Sequence, residues 1–182
     1  MVLVFLQGIP IFSEERFFVG IEPGYLREEW YDSSEFDVNA CPVVLEYRFL
    51  ERFSVKLRCH YYIRNGGASS GEPTLKGAGI SLPYYVSSDP DLSIPNGFYV
   101  APYVSHAYNH LTKGSHNTFA LESGYLIRFG KYGINLSVQG GATTISKQPK
   151  VLFRLFDKPC YFEQETKTGS HGGFYFSFGV WL

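Results

Sequence analysis

The sequence predicts an all-β chain whose eight antiparallel strands run up and down and close into a transmembrane barrel. Three observations predict it. Apolar and polar residues alternate through eight segments, the polar halves of different segments carry charges of opposite sign, and most connections follow a long, short, long rhythm. The segment at 52–64, RFSVKLRCHYYIR, shows the alternation most clearly. Phe53, Val55, Leu57, Cys59, Tyr61 and Ile63 share one face, while Arg52, Ser54, Lys56, Arg58, His60, Tyr62 and Arg64 share the other. A half-buried soluble strand would alternate too. The deciding feature is recurrence of the pattern with charges able to pair inside a tube.

The first strand sets Phe17, Val19, Ile21 and Tyr25 outward, with Phe18, Gly20, Glu22 and Gly24 opposite. In 38–49 the outer set is Cys41, Val43, Leu45, Tyr47 and Phe49, and Val44, Glu46 and Arg48 point inward. A tight turn near Leu50 and Glu51 joins this strand to 52–64 as a hairpin. Next, in 75–86, Ala78, Ile80, Leu82, Tyr84 and Val86 oppose Gly77, Gly79 and Ser81. In 97–108, Phe98, Val100, Pro102 and Val104 oppose Tyr99, Ala101, Tyr103 and Ser105. The sixth strand, 118–128, puts Phe119, Leu121, Tyr125 and Ile127 outside and Ala120, Glu122, Gly124 and Arg128 inside. In 133–142, Ile134, Leu136 and Val138 lie outside, with Asn135, Ser137 and Gln139 inside. The last strand, 172–182, turns Phe174, Phe176, Phe178, Val180 and Leu182 outward and Tyr175, Ser177, Gly179 and Trp181 inward.

Segments of this length suit a tilted strand crossing a bilayer's hydrocarbon. Side chains fill so small a barrel, so an open pore is not expected. Pro23, Pro42, Pro83 and Pro102 fall within the proposed strands and cannot donate to a ladder. They are expected at bulges or strand ends, with local register slips. Among the long connections, 143–171 contains VLFRLF at 151–156, expected as a hairpin or a surface-binding element.

A chain of 182 residues suits one domain, assigned to 14–182. Residues 1–13, MVLVFLQGIPIFS, are expected to be the remnant of a secretory signal. No apolar run is long enough for a transmembrane helix. The aromatic content of 18% suits girdles of Tyr, Trp and Phe at two membrane interfaces. A net charge of −1 with dispersed Lys and Arg excludes a nucleic-acid partner.

The predicted interior gathers Glu22, Glu46 and Glu122 with Arg48, Lys56, Arg58 and Arg128, and Asn135 and Gln139 add hydrogen bonds. Unpaired, such charges would be costly in a dry lumen, so a salt-bridge network that plugs the barrel is expected. A gated ion or proton path is the functional alternative. His106, His110, His116 and His171 fall at strand ends or loops, with irregular spacing that suits solvated side chains better than a metal site. The three cysteines show no metal-ligand spacing, and no cofactor is implied. Cys41 and Cys59 could face each other across neighbouring strands, as a disulfide or as two outward thiols, leaving Cys160 over. Catalysis at the lipid face would need Ser and His side by side, but Ser105 and His106, Ser115 and His116, and Ser170 and His171 are adjacent in sequence and so point to opposite faces. A non-enzyme is expected.

The stretches GFYVAPYVSHAYN at 97–109, LESGYLIRFGKYGINLSVQGGA at 121–142 and LEYRFLERFSVKL at 45–57 resemble small eight-stranded bacterial outer-membrane barrels. Outer membrane proteins X and W are similar in shape. The resemblance implies an outer-membrane location, with membrane lipid, lipopolysaccharide and the barrel-assembly machinery as partners. It carries no activity. Where such chains usually end on an aromatic residue, this one closes on Val180, Trp181 and Leu182. The functional expectation is a plugged, non-enzymatic barrel whose external loops contact envelope or surface ligands. The alternatives are a narrow, porin-like channel or carrier for small or hydrophobic compounds and, further off, a lipid-A-modifying enzyme.

Overall fold

Residues 16–26, 36–66, 70–86, 96–110, 113–146, 151–155, 158–161 and 166–182 are described by a computed structural model of the chain. The segment 1–13, expected as a signal remnant, and much of the long connections lie outside these residues. Among the described residues there are thirteen strand segments: β1 (Phe17–Ile21), β2 (Tyr25–Leu26), β3 (Phe36–Asn39), β4 (Val43–Leu50), β5 (Phe53–Asn65), β6 (Pro73–Ser81), β7 (Tyr84–Tyr85), β8 (Gly97–Asn109), β9 (Gly114–Phe129), β10 (Tyr132–Ser146), β11 (Val151–Leu155), β12 (Lys158–Tyr161) and β13 (Thr166–Trp181). No helix occurs among the described residues.

Antiparallel pairing runs β1 to β4, β5, β6, β8, β9, β10 and β13, and β13 returns to β1 through Phe18↔Trp181 to Ile21↔Phe178. The sheet therefore closes on itself. Three of its eight strands are interrupted, and proline explains each break. Pro23 separates β1 from β2, Pro42 lies between β3 and β4, and Pro83 separates β6 from β7. Pro102 instead stays inside unbroken β8, and its carbonyl accepts from Leu82 N (3.2 Å) at the β6–β7 break. Its missing donor thus falls beside a gap in the neighbouring ladder.

Register survives one break and slips at another. Ser81↔Tyr103 and Tyr84↔Val100 share one alignment, so the Pro83 break inserts nothing. Across strands one and two, Ile21↔Val43 gives way to Tyr25↔Val38, a slip of one residue. The bulge at 40–42 inverts the facing beyond it, so Asp37 and Asn39 turn inward and are buried.

Alternation sorts the wall. Outside lie Phe17, Val19, Leu45, Leu57, Ile80, Phe98, Leu121, Val138, Phe176 and Phe178, all exposed. Aromatic side chains gather at the end carrying the turns at 51–52 and 130–131. Ring pairs there include Phe17 with Tyr47 (4.7 Å), Phe53 with Tyr84 (4.9 Å) and Tyr132 with Phe178 (6.2 Å). On β9 the apolar outer row stops at Phe119, and Asn117 and Ser115 continue it. Strands β9, β10 and β13 run on past this level, and β11 pairs with β12 as a separate two-stranded sheet. The long seventh connection is therefore a hairpin rather than featureless loop.

Inside, Phe18, Val44, Tyr85, Tyr99, Ala101, Leu126 and Trp181 form an apolar plug at the end of the barrel where β1 begins and β13 finishes. Glycines on neighbouring strands make room for tyrosine rings. A Cβ at Gly79 would stand 2.3 Å from the Tyr103 hydroxyl, and one at Gly124 would stand 2.5 Å from the Tyr99 ring. These positions accept no side chain without moving a ring.

Candidate functional site

Above the apolar plug, ionic side chains from β4, β5 and β9 converge in the lumen with Glu22, which directly follows β1. Glu122 on β9 is fully buried and is the hub. Its carboxylate accepts from Arg58 Nη1 (2.7 Å) and Nη2 (2.8 Å), the Tyr99 hydroxyl (2.6 Å) and Gln139 Nε2 (3.0 Å). Lys56 Nζ lies 3.6 Å away. Each carboxylate oxygen thus meets at least two donors, the condition under which a buried ion is tolerable.

Arg58 reaches further. Its Nε donates to Glu22 Oε1 (2.6 Å) and its Nη1 to Ser81 Oγ (3.3 Å), while its guanidinium lies 5.6 and 5.3 Å from the Tyr103 and Tyr175 ring centroids. A planar fork with this many donors can bridge two carboxylates, which an ammonium of the same charge could not do in one plane. Lys56 completes the chain toward the apolar plug, donating to the Tyr99 hydroxyl (3.0 Å) and pairing with Glu46 (3.6 Å). Glu46 in turn accepts from Ser54 Oγ (2.5 Å) and the Tyr85 hydroxyl (2.7 Å).

Five of the seven expected lumen charges, Glu22, Glu46, Lys56, Arg58 and Glu122, thus form one continuous chain of contacts. The other two reach the turns at the plug end of the barrel. Arg48 Nε donates to the Leu50 carbonyl (3.2 Å), and Arg128 Nε donates to the Gly130 carbonyl. Gln139 joins the network, whereas both side-chain amide atoms of Asn135 are buried without a hydrogen-bond partner. Sequence reasoning missed Tyr85 as a ligand of Glu46 and the pair Asp37–Arg64 (3.7 Å). Alternation with Tyr84 would have found the first. The second depends on the bulge at 40–42, which no single-strand pattern reveals.

The network leaves little space. A cavity of about 10 Å³, lined by Glu22, Arg58, Tyr62 and Tyr175 among others, has room for about one water. Glu22 Oε2 has no hydrogen-bond partner and borders this cavity.

Toward the long-loop end the interior becomes aromatic and imidazole-rich. His60 Nε2 meets the Tyr103 hydroxyl (2.9 Å), and His171 Nε2 meets Gln139 Oε1 (3.2 Å). His116, above the level of Phe119, also faces inward, and its pKa falls to about 4 because burial disfavours the charged ring and His171 is nearby. No group of His, Cys, Asp and Glu among the described residues is arranged to hold a metal ion.

On the outer surface His106 Nδ1 meets Asn117 Oδ1 (2.6 Å), and Asn117 Nδ2 approaches Ser115 Oγ (3.5 Å). The amide therefore stands between hydroxyl and imidazole. An activated serine needs the imidazole beside its hydroxyl, an order that this trio does not have. No family model, curated protein or solved structure matches the chain.

Proposed function

We propose that the protein is an integral outer-membrane barrel, non-enzymatic, whose ionic lumen is a structural plug and whose long loops engage envelope or surface ligands. One observation carries the reading: the closed sheet is apolar outside and ionic inside. Phe119, Leu121, Phe174 and Val138 are each more than half exposed on the outer wall, whereas Lys56, Arg58 and Glu122 are at most 2% exposed within it. Lipid solvates such a wall and water does not. The lumen charges then need one another, which fits the network around Glu122. A cavity of about 10 Å³ speaks for a plug over a channel.

Reconstitution into planar bilayers tests the reading. A plugged barrel gives no steady ion current, and Arg58→Ala, which removes the bridge between Glu22 and Glu122, gives at most brief openings. Steady current through the unaltered protein would establish the channel alternative instead. Loops are tested separately by replacing β11 and β12 with a short Gly-Ser turn. Surface binding should fall while the barrel remains assembled.

A further inference from the structure

We propose that Cys41 and Cys59 are a disulfide-forming pair that staples the bulge at 40–42 in the barrel wall. The proposal rests on the outer-membrane reading for its oxidising environment. Its geometry stands apart from that reading.

The bulge brings the two residues together. Asn39 pairs with Tyr62 and Val44 with Arg58, so four residues of one strand, 40–43, span the same stretch as three of β5, 59–61. The surplus residue pushes the chain out of register at Cys41. Asn39 then fixes both sides of the irregularity. Its Oδ1 accepts from Cys41 N (3.1 Å) and Tyr61 N (3.1 Å), and its Nδ2 donates to the Cys59 carbonyl (3.0 Å). One buried amide thus ties the backbone of both cysteines. Both are free and half-buried. Cys160 is on β12, in the separate hairpin.

The chemistry is thiol–disulfide exchange with an exported oxidant that carries a disulfide. One cysteine, as thiolate, attacks the oxidant's disulfide and releases one of its sulfurs as thiolate. The second cysteine, also deprotonated, attacks the mixed disulfide. The Cys41–Cys59 bond forms, two protons leave, and the oxidant departs as a dithiol carrying both electrons. The bond would lock the wall beside Glu22 and Gly24, where Pro23 and Pro42 have already removed ladder donors.

The test is thiol mapping of the full chain folded in detergent micelles, treated with oxidised glutathione, blocked with iodoacetamide and digested. The expected result is a Cys41–Cys59 cross-linked peptide lighter by two hydrogens, with Cys160 alkylated. In Cys41→Ser, Cys59 should be alkylated, with the barrel still assembled by its gel mobility before and after boiling. Alkylation of both Cys41 and Cys59 in the oxidised, folded barrel would overturn the proposal, as would a cross-link from either one to Cys160. Mapping the chain taken directly from bacterial envelopes separates the premise. A pair that oxidises in micelles but arrives fully reduced from the envelope contradicts the assumed location and leaves the pairing intact.

Discussion

The two faces of β5 place neighbouring residues in opposite surroundings. Ser54, Lys56 and Arg58 are 0, 1 and 2% exposed, while Phe53 and Leu57, interleaved with them, are 41 and 40% exposed. A water-soluble barrel with this strand would be stable the other way out, ions in solvent and rings in the core. The difference teaches that stability here has two separate sources. The outer face depends on the solvent around the barrel, and the inner face depends on ions satisfying one another.

Removing the hub should break the inner face most severely. Glu122→Ala leaves Arg58 and Lys56 buried without their shared carboxylate and should cost about 3–5 kcal/mol, read as a lower denaturant midpoint for the barrel folded in micelles. The outer face should fail by a different route. Leu57→Arg places a cation on the apolar wall and should cost about 2–4 kcal/mol of insertion, measured by folding into lipid vesicles. Asn117→Arg, on the same outer surface above Phe119, should be near neutral in that assay. Equal penalties at both positions would contradict the boundary drawn on β9.

Within the network, Tyr99→Phe deletes the hydroxyl that donates to Glu122 and accepts from Lys56. A loss of about 2 kcal/mol in the same unfolding experiment is expected, smaller than for Glu122→Ala because the ions stay paired. The smallest effect belongs to the imidazole mouth. His116 is held neutral in the folded state down to about pH 4, whereas the unfolded ring takes up a proton near its ordinary value of 6.5. Between these values the unfolded state binds more protons, so stability falls as pH drops from about 6.5 to about 4. Screening at the mouth limits this to on the order of 1 kcal/mol. His116→Asn should flatten that part of the pH profile.

Much of this arrangement was legible in the sequence because alternation of period two fixes facing wherever the ladder is regular. Glu46, Lys56, Arg58 and Glu122 all lie on stretches of regular ladder, and simple parity turns them inward. Closure into eight strands followed from the same counting. Asp37 and Asn39 were illegible for a physical reason: the extra residue in the bulge inverts parity, and its position depends on how two strands meet rather than on either alone. Partner choice was equally hidden. Parity places Glu122 inside, but it does not say that Arg58 grips it through both Nη atoms while Lys56 stands off at 3.6 Å. The same limit applies to Arg48 and Arg128, whose turn carbonyls were competing acceptors that a charge count ignores.

The central claim is that lipid, not water, surrounds the outer wall. Its most direct test is electrophoresis of the detergent-folded chain before and after boiling, paired with circular dichroism and with sedimentation of the chain in detergent-free buffer. The account predicts a faster, compact band that shifts on boiling, a β-rich spectrum, and aggregation when detergent is withdrawn. A folded, monodisperse monomer in plain buffer would contradict it.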